Sequence, residues 1–276
     1  MKKIEFSDEQ LNKILDLYIN KKISMAKIGT IFGVSKTVIL RILKEQQITF
    51  RNDNHKYKAN YDIFEKIDTK EKAYWLGFLA ADGCVYKRQN NNSDFIFINI
   101  HQKDKSHLEK FKIFMESNVN IIDHIQTEGF SNNTPMSKIT FNSTKLVHDL
   151  IDKGVVPNKS LILQPPKIDQ EFWLPFILGY FDGDGSIYQL NNNEFGINIV
   201  GTKEMLEWIN SILHISEKLE KRNSDSEKNN FYIRCGGYQK PYSILKILYD
   251  SVDTHLDRKF KIYQTLETVV LNRNIK

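Results

Sequence analysis

The amino-acid sequence predicts an α+β protein in which two similar halves follow a small all-α domain. Three observations carry this prediction. A stretch of twelve residues occurs twice, at 75–86 and 177–188, with five identical positions. An alternating strand pattern follows each copy, and three helical patterns precede both copies within residues 7–48. A long internal repeat of this kind indicates a duplicated structural unit.

The three helical patterns at the front of the chain have recognisable starts. Ser7, Ser24 and Ser35 each stand where a helix N-cap is expected. Apolar residues recur behind them at helical spacing and are expected to point inward: Leu11, Ile14, Leu15 and Tyr18; Ile28 and Ile31; Val38, Ile42 and Leu43. Gly33 predicts a tight turn between the second and third helices. A short helix, a turn that contains glycine and another helix form the plan of a helix-turn-helix.

Residues 24–43 resemble the helix-turn-helix of resolvase-like and transposase-like domains. This resemblance implies that the third helix faces the major groove or its phosphates. The residues expected to contact DNA there are Ser35, Lys36, Thr37, Arg41 and Lys44. The local charge agrees, because residues 1–60 hold twelve Lys or Arg and six Asp or Glu. A basic domain of this kind is typical of proteins that bind nucleic acid.

Both repeated stretches predict helices that end in an acidic residue. Each helix has two small residues four positions apart: Gly77 and Ala81, and Gly179 and Gly183. Residues four apart share one helix face, and small residues there let two helices approach closely. We therefore expect the two helices to pack on each other, with Gly83 and Gly185 as left-handed caps. Asp82 and Asp184 would then lie side by side.

Two carboxylates at helix C-termini are electrostatically unfavourable. A helix C-terminus already carries about half a negative charge, and a second carboxylate makes ionisation harder. A divalent cation, Mg²⁺ or Mn²⁺, would relieve this conflict. Its predicted ligands are Asp82, Asp184 and the free carbonyls of Ala81 and Gly183. A pair of such sites about a pseudo-two-fold axis suits a substrate that is itself pseudo-symmetric, and double-stranded DNA is the obvious one.

The stretches WLGFLAADG and ILGYFDGDG resemble the two motifs of a single-chain LAGLIDADG homing endonuclease. The resemblance implies two pseudo-symmetric αββαββα half-domains that form a DNA-binding saddle. It also implies a monomer that makes a site-specific double-strand break in a long DNA target by metal-assisted hydrolysis, with Asp82 and Asp184 as catalytic residues. The earlier acid of the motif is Ala80 in the first copy and Asp182 in the second, and we expect this departure to matter little.

The predicted domain boundaries follow from these patterns. A helix-turn-helix domain spans 1–50 and a basic linker spans 51–67, in which Arg51 is expected to contact DNA. The first half-domain spans 68–165 and the second spans 166–276. Proline residues mark the junction between the halves at 157 and 165–166.

The family resemblance also implies a catalytic lysine after the second strand of each half. Gln102 and Lys103 occupy this place in the first half. Gly201 and Thr202 align there in the second half, with Lys203 one residue later as a candidate. The halves are therefore expected to be chemically unequal and to cut the two DNA strands at different rates. Lys259 is expected to contact a phosphate.

Base recognition is expected on the outward faces of the sheets. In the first half this face includes Tyr86, Arg88, Asn99, His101, His124, Gln126, Lys138, Thr140 and Asn142. In the second half it includes Ser186, Tyr188, Asn198, Lys218, Arg222, Tyr232 and Arg234. Arg favours guanine in the major groove, whereas Asn and Gln favour adenine. The prediction concerns each face as a whole.

Composition excludes several other classes of protein. No apolar run reaches about 18 residues, the length a membrane span requires. The N-terminus lacks the apolar segment of a secretion signal. Cys84 and Cys235 are too few and too far apart for a zinc site or a disulfide framework. We therefore expect a cytoplasmic protein that acts at DNA, with no membrane and no protein partner required. A non-cleaving DNA-binding regulator and an RNA-splicing maturase on the same scaffold stay open as alternatives.

Overall fold

The protein is divided into two compact units, each with its own apolar core. The first unit ends and the second begins between residues 56 and 57. The computed structural model describes residues 6–21, 23–48, 57–88, 93–127, 133–190, 194–222 and 228–274. Within these ranges every helix is too short or too polar to span a bilayer.

The first unit consists of three helices: α1 (Asp8–Ile19), α2 (Met25–Ile31) and α3 (Lys36–Glu45). The predicted cap of α1 forms, because the Ser7 hydroxyl accepts a hydrogen bond from the amide of Gln10 at 3.3 Å. The side chain of Gln10 in turn accepts from the amide of Ser7 at 3.0 Å. The buried core of the unit is Ile14, Tyr18, Ile28, Ile39, Ile42 and Leu43.

The turn between α2 and α3 depends on two glycines. Gly33 has a φ of +67°, as the predicted tight turn requires. A Cβ at Gly29 would lie 2.6 Å from the carbonyl oxygen of Val34, so only glycine fits where the turn crosses α2. The expectation that Ile31 points inward is wrong: it ends α2 and is 52% exposed.

The second unit contains seven helices and eight strands among its described residues. Its first half comprises α4 (Lys70–Ala81), β1 (Gly83–Tyr86), β2 (Phe95–His101), α5 (Lys105–Phe114), β3 (Ile122–Gln126), β4 (Thr134–Asn142) and α6 (Thr144–Asp152). Its second half comprises α7 (Trp173–Asp184), β5 (Gly185–Gln189), β6 (Phe195–Gly201), α8 (Lys203–Leu213), β7 (Glu220–Lys221), β8 (Phe231–Gly237), α9 (Gln239–Tyr249) and α10 (Asp257–Asn274). The predicted αββαββα order is confirmed in both halves.

The two halves carry antiparallel sheets of the same topology. Their strand orders are β1-β2-β4-β3 and β5-β6-β8-β7. In β2 the isoleucines at 96, 98 and 100 are buried while the residues between them are half-buried, which confirms the predicted alternation. The register is also duplicated: Asn99 pairs with Lys138 on β4, and Asn198 pairs with Arg234 on β8.

Helices α4 and α7 pack directly on each other at the centre of the second unit. A Cβ at Gly77 would lie 2.0 Å from the carbonyl oxygen of Phe176, and one at Gly179 would lie 1.9 Å from that of Tyr74. Each of these two contacts is the repeat-related copy of the other, which shows the pseudo-two-fold relation of the halves. The predicted packing through small residues is confirmed, since any side chain at these positions would force the backbones apart.

The glycines that follow the two helices have a different role from the one predicted. Gly83 and Gly185 begin strands, and Gly185 has a φ of −93°, so the left-handed caps predicted there are wrong. A Cβ would lie 2.6 Å from the carbonyl oxygen of Leu79 at Gly83 and 2.5 Å from that of Phe181 at Gly185. Glycine is needed because each strand turns back tightly over the end of its helix.

Candidate functional site

Asp82 and Asp184 meet where helices α4 and α7 end. Asp82 is the C-cap of α4 and Asp184 is the last residue of α7. The helix ends are in contact, because a Cβ at Gly183 would lie 2.3 Å from the Cβ of Ala81 and 3.4 Å from the Cγ of Asp82. The predicted adjacency of the two carboxylates is therefore confirmed. It follows directly from the glycine-mediated contact of the helices.

Burial and mutual repulsion disturb the ionisation of these two carboxylates. Removal from solvent, and then the charge of Asp184, raise the pKa of Asp82 to about 7. The pKa of Asp184 is also raised, because surrounding protein atoms remove water from its carboxylate. The residue as a whole still has solvent-exposed surface. The positive charges of Lys159 and Lys259 oppose both shifts. The centre thus favours additional positive charge.

Two lysines, one buried and one half-buried, close the ends of the motif helices. The Lys259 ammonium donates to the carbonyl oxygens of Phe181 at 2.6 Å, Asp182 at 2.8 Å and Gly185 at 2.6 Å. This uses all three of its protons, and Lys259 is 3% exposed. The predicted contact of Lys259 with a DNA phosphate is therefore wrong. Burial lowers its pKa to about 8, and the lysine instead neutralises the carbonyl end of α7.

Lys159 is the counterpart of Lys259 in the first half. Its ammonium donates to the carbonyl oxygens of Ala81 at 2.9 Å and of Gly83, at the end of α4. No local sequence pattern pointed to this residue. Burial lowers its pKa, while the charges of Asp184 and then Asp82 act in the opposite direction. The carbonyl of Ala81, which was predicted to be free, is thus already engaged.

The oxygens at this centre fit a hard cation that takes further ligands from water or substrate. In the part of the chain that the structure describes, no cluster of three or more His, Cys, Asp or Glu could hold a metal ion. Mg²⁺ commonly takes only one or two protein carboxylates and keeps several waters. Asp82, Asp184 and the Gly183 carbonyl match this need, and the charge of Asp184 adds to the effect of burial on the pKa of Asp82.

A cavity of about 220 Å³ lies beside Asp82. Its polar lining includes Asn99, His101, Asp104, Asp182 and Arg258. Arg258 holds Asp104 through both oxygens, with distances of 3.0–3.3 Å. The guanidinium of Arg258 is thus already paired with the Asp104 carboxylate.

Asp182 is buried between the two halves, with 2% of its surface exposed. Its Oδ2 accepts hydrogen bonds from the Tyr74 hydroxyl at 2.7 Å and from the amide of Leu256 at 2.8 Å. Burial raises the pKa of this carboxyl to about 6. The equivalent position in the first half is Ala80, which is also buried. The expectation that this departure matters little is wrong, since Asp182 ties α4 and the start of α10 to α7.

A second cavity of about 200 Å³ lies beside Asp184 and has a more basic lining. Lys159, Tyr180 and Arg222 all line it. The Tyr180 hydroxyl lies within hydrogen-bond reach of the Val200 carbonyl, at 3.1 Å, and of the Asp184 carboxylate. Arg222 adds a positive charge that favours the ionised form of Asp184. This cavity therefore differs in charge from the one beside Asp82.

The other predicted catalytic residues do not line the two cavities beside the carboxylates. Gln102 hydrogen-bonds to Asp123. Lys103 is exposed and lines a separate groove of about 750 Å³ beside α10. Lys203 is an exposed residue at the start of α8 and pairs with Glu207 at 3.6 Å. Catalytic roles for these three residues stay predictions.

The predicted base-reading residues lie mostly as the alternation suggested. The outward positions of the first sheet include Tyr86, Asn99, His101, Lys138, Thr140 and Asn142, with Arg88 just after β1. Those of the second sheet include Tyr188, Asn198, Tyr232 and Arg234, with Arg222 just after β7. At the start of α3 and along it, four predicted DNA contacts are exposed: Ser35, Lys36, Thr37 and Lys44. Arg41 of the same helix is half-buried. Arg51 lies outside the described residues.

Comparisons with known proteins identify part of the chain. Residues 69–153 match the family model described as a LAGLIDADG-like domain. A search of the curated proteins finds no significant match. Similar solved structures include the meganuclease I-SmaMI bound to uncleaveable DNA, with 15% sequence identity, a TM-score of 0.49 and coverage of 72% of this chain and 90% of that chain.

Two further structures give comparable values. The I-LtrWI LAGLIDADG homing endonuclease bound to target DNA has 12% identity and a TM-score of 0.49, and the match covers 79% of this chain and 92% of that chain. The LAGLIDADG homing endonuclease I-GzeII in complex with its DNA target has 11% identity and a TM-score of 0.49, with 71% and 89% covered. Residues 69–153 thus form a LAGLIDADG-like domain, which agrees with the resemblance that the motifs carry.

Proposed function

We propose that this protein is a site-specific homing endonuclease that makes a double-strand break in a long DNA target with the help of Mg²⁺ or Mn²⁺. The observation that carries this proposal is the meeting of Asp82 and Asp184 at the ends of two packed helices. Two carboxylates related by a pseudo-two-fold axis can each serve one strand of a duplex. The match of residues 69–153 to the LAGLIDADG-like domain supports this activity.

The chemistry is divided between the bound cation and the chain. A bound divalent cation would activate water and stabilise the charge that develops on the leaving oxygen. Asp82, Asp184 and the carbonyl of Gly183 would hold it, whereas the Ala81 carbonyl has one lone pair engaged by Lys159. Lys159 and Lys259 keep the helix ends from repelling the substrate phosphates. Arg222 faces the Asp184 cavity and is placed to hold a phosphate on that side.

DNA binding is assigned to the outward faces of the two sheets and to the front helices. In the first unit, four exposed side chains lie on α3 or at its N-cap: Ser35, Lys36, Thr37 and Lys44. We infer that α2 and α3 act as a helix-turn-helix. The domain boundaries given above also remain predictions. Since phosphate contacts by Lys and Arg release counterions, removing residues 1–50 should weaken binding and flatten its salt dependence. An unchanged salt slope would argue against a DNA contact by this unit.

We further propose that the protein acts as a monomer at DNA inside the cell. Both carboxylates belong to one chain, so a second copy is not needed to complete the centre. Light scattering of the purified protein should give the mass of one chain. An obligate dimer would contradict this part of the proposal.

A randomised duplex library tests the function directly. The protein is first used to select binding sites in Ca²⁺, and the selected duplexes are then incubated with Mg²⁺. We expect both strands of the selected site to be cut in Mg²⁺. Binding without cleavage would instead favour a non-cleaving DNA-binding regulator, and preferential binding of structured RNA would favour a maturase.

A further inference from the structure

An aromatic column runs across the outward face of the first sheet. It consists of Tyr86 on β1 with Phe95 and Phe97 on β2. The ring centroids of Tyr86 and Phe95 are 5.0 Å apart, and those of Phe95 and Phe97 are 6.2 Å apart with an interplanar angle of 23°. Tyr86 is 53% exposed and the two phenylalanines are half-buried. Three aromatic rings at successive outward positions of a sheet form a large apolar feature that does not serve the core.

The flat faces of these rings are covered by neighbouring groups. The Lys138 ammonium lies 3.8 Å from the centroid of the Phe97 ring, and the Arg88 guanidinium carbon lies 4.7 Å from that of Phe95. The rings also cover one another within the column. A nucleic-acid base stacks on an open ring face, so this arrangement disfavours stacking of single-stranded RNA. It leaves the apolar ring edges for contact with a partner.

The second sheet has a different surface at the equivalent positions. Tyr86 pairs with Phe95 in the first sheet, whereas the equivalent Tyr188 pairs with Gly196. Gly196 therefore takes the place of Phe95, and Asn198 takes the place of Phe97. The Tyr188 ring lies flat over this gap, since a Cβ at Gly196 would come within 2.3 Å of its Cζ. The outward apolar column is therefore a feature of the first half alone.

We propose that the aromatic column recognises thymine C5-methyl groups in the major groove, so that the half-site bound by the first sheet carries thymine at two or three nearby positions, those that face Phe95 and Phe97 being about two base pairs apart. This inference rests on the proposed function, which directs the sheet face to duplex DNA. Thymine is the base that presents a methyl group in the major groove, and Phe contacts that group by apolar packing. The 6.2 Å spacing of Phe95 and Phe97 matches roughly two base-pair steps of about 3.4 Å each.

Replacement of thymine by deoxyuridine tests this inference, because it removes the methyl group and leaves every hydrogen-bonding group in place. Duplexes selected by the full-length protein in Ca²⁺ are resynthesised with deoxyuridine in one half-site or in the other. We expect binding to weaken about fourfold for each contacted thymine in the half-site of the first sheet. The same exchange in the other half-site should change binding by less than about twofold.

Two variants assign the effect to the column. Phe97→Ala and Phe95→Ala should each lose the roughly fourfold preference for the thymine that the missing ring contacts, whereas Ile113→Ala should keep the full difference. Ile113 is a suitable control because it lies on α5 and is 76% exposed. Thermal denaturation identifies any variant that fails to fold, and the thymine exchange with the unmodified chain then decides the inference alone.

The possible outcomes separate this inference from the proposed function. If duplexes are selected but thymine and deoxyuridine bind equally in both half-sites, the inference is wrong while the proposed function stands. If Phe97→Ala weakens binding of single-stranded RNA and duplexes are not selected, both are wrong. A loss of the preference for one thymine in Phe97→Ala, with the full difference retained in Ile113→Ala, is the result that supports the column.

Discussion

The two halves of the centre share their carboxylates and differ in the charges around them. The cavity beside Asp82 is lined by Arg258, which is held by Asp104 at 3.0 Å, and by the buried Asp182. Beside Asp184 lie Arg222, Lys159 and the hydroxyl of Tyr180. The repeat thus keeps the two carboxylates and changes the charged side chains around them. The difference predicts two half-sites with the same reaction and different rates.

The largest expected effect comes from removing either carboxylate. Asp82→Asn or Asp184→Asn should lower the rate of double-strand cleavage by a factor on the order of a thousand, because each removes a ligand and a negative charge from the cation. DNA binding should be preserved. Gel assays of cleavage and of binding on one selected duplex measure both. Undiminished cleavage by either variant would contradict the site.

The next effect concerns the two lysines that close the helix ends. Lys259→Met leaves three carbonyls without a donor in a buried place and should lower the free energy of unfolding by about 3–5 kcal/mol. Lys159 is half-buried and has two such bonds, so Lys159→Met should cost about 1–3 kcal/mol. Lys246→Met, at an exposed position of α9, is the matched control. Urea denaturation compares the three, and equal losses at 159 and 259 would contradict the difference in burial.

The pH dependence of stability should also distinguish the carboxylates. The pKa of Asp82 is about 7 in the folded protein against an ordinary value of 3.8. The stability linked to its bound proton is therefore present below pH 3.8 and is lost as the pH rises through 7. Relative to the unmodified protein, Asp82→Asn should become more stable between pH 5 and pH 8, on the order of 2 kcal/mol after allowance for partial exposure.

Asp184→Asn is the comparison for this measurement. The pKa of Asp184 is also raised, but Lys159, Lys259, Tyr180 and Arg222 counteract the effect of burial. Its substitution should therefore produce a smaller gain of stability over the same pH range, without added divalent cation. A larger gain of stability for Asp184→Asn than for Asp82→Asn would show that Asp184, and not Asp82, has the more strongly raised pKa.

The smallest expected effect concerns the arginine that distinguishes the cavities. Arg222→Ala should slow cleavage of one strand by about tenfold, which corresponds to about 1.4 kcal/mol of transition-state stabilisation. The other strand should be cut at its normal rate. Lys246→Ala removes an exposed positive charge far along the chain on α9 and should leave both rates unchanged. Equal slowing of both strands by Arg222→Ala would assign the arginine to general DNA binding.

The parts of this centre that follow from local patterns could be predicted from the sequence. The motif helices, their packing through Gly77 and Gly179, the alternation of the second strand and the adjacent carboxylates all depend on residue spacing within the repeat. The lysine caps could not be predicted in this way, because each ammonium lies more than 70 positions from the carbonyls that it meets. Lys159 and Lys259 are 100 positions apart, close to the period of the repeat, and this signal could have revealed them.

Other features depend on contacts that one stretch of sequence does not contain. Asp182 is buried because Tyr74 and Leu256, from distant parts of the chain, converge on it. Gly83 and Gly185 were predicted to cap the motif helices, because glycine is the preferred residue in left-handed caps. The actual requirement is the close approach of each strand to the helix that precedes it, which is visible only when the chain is folded.

The most direct test of unequal half-sites is a time course of cleavage with each strand of a selected duplex labelled separately. The charges around the carboxylates predict that a nick accumulates first on one strand, the strand that Arg222→Ala slows. The double-strand break should follow more slowly. Cleavage of both strands at the same rate, with no nicked intermediate, would contradict the account.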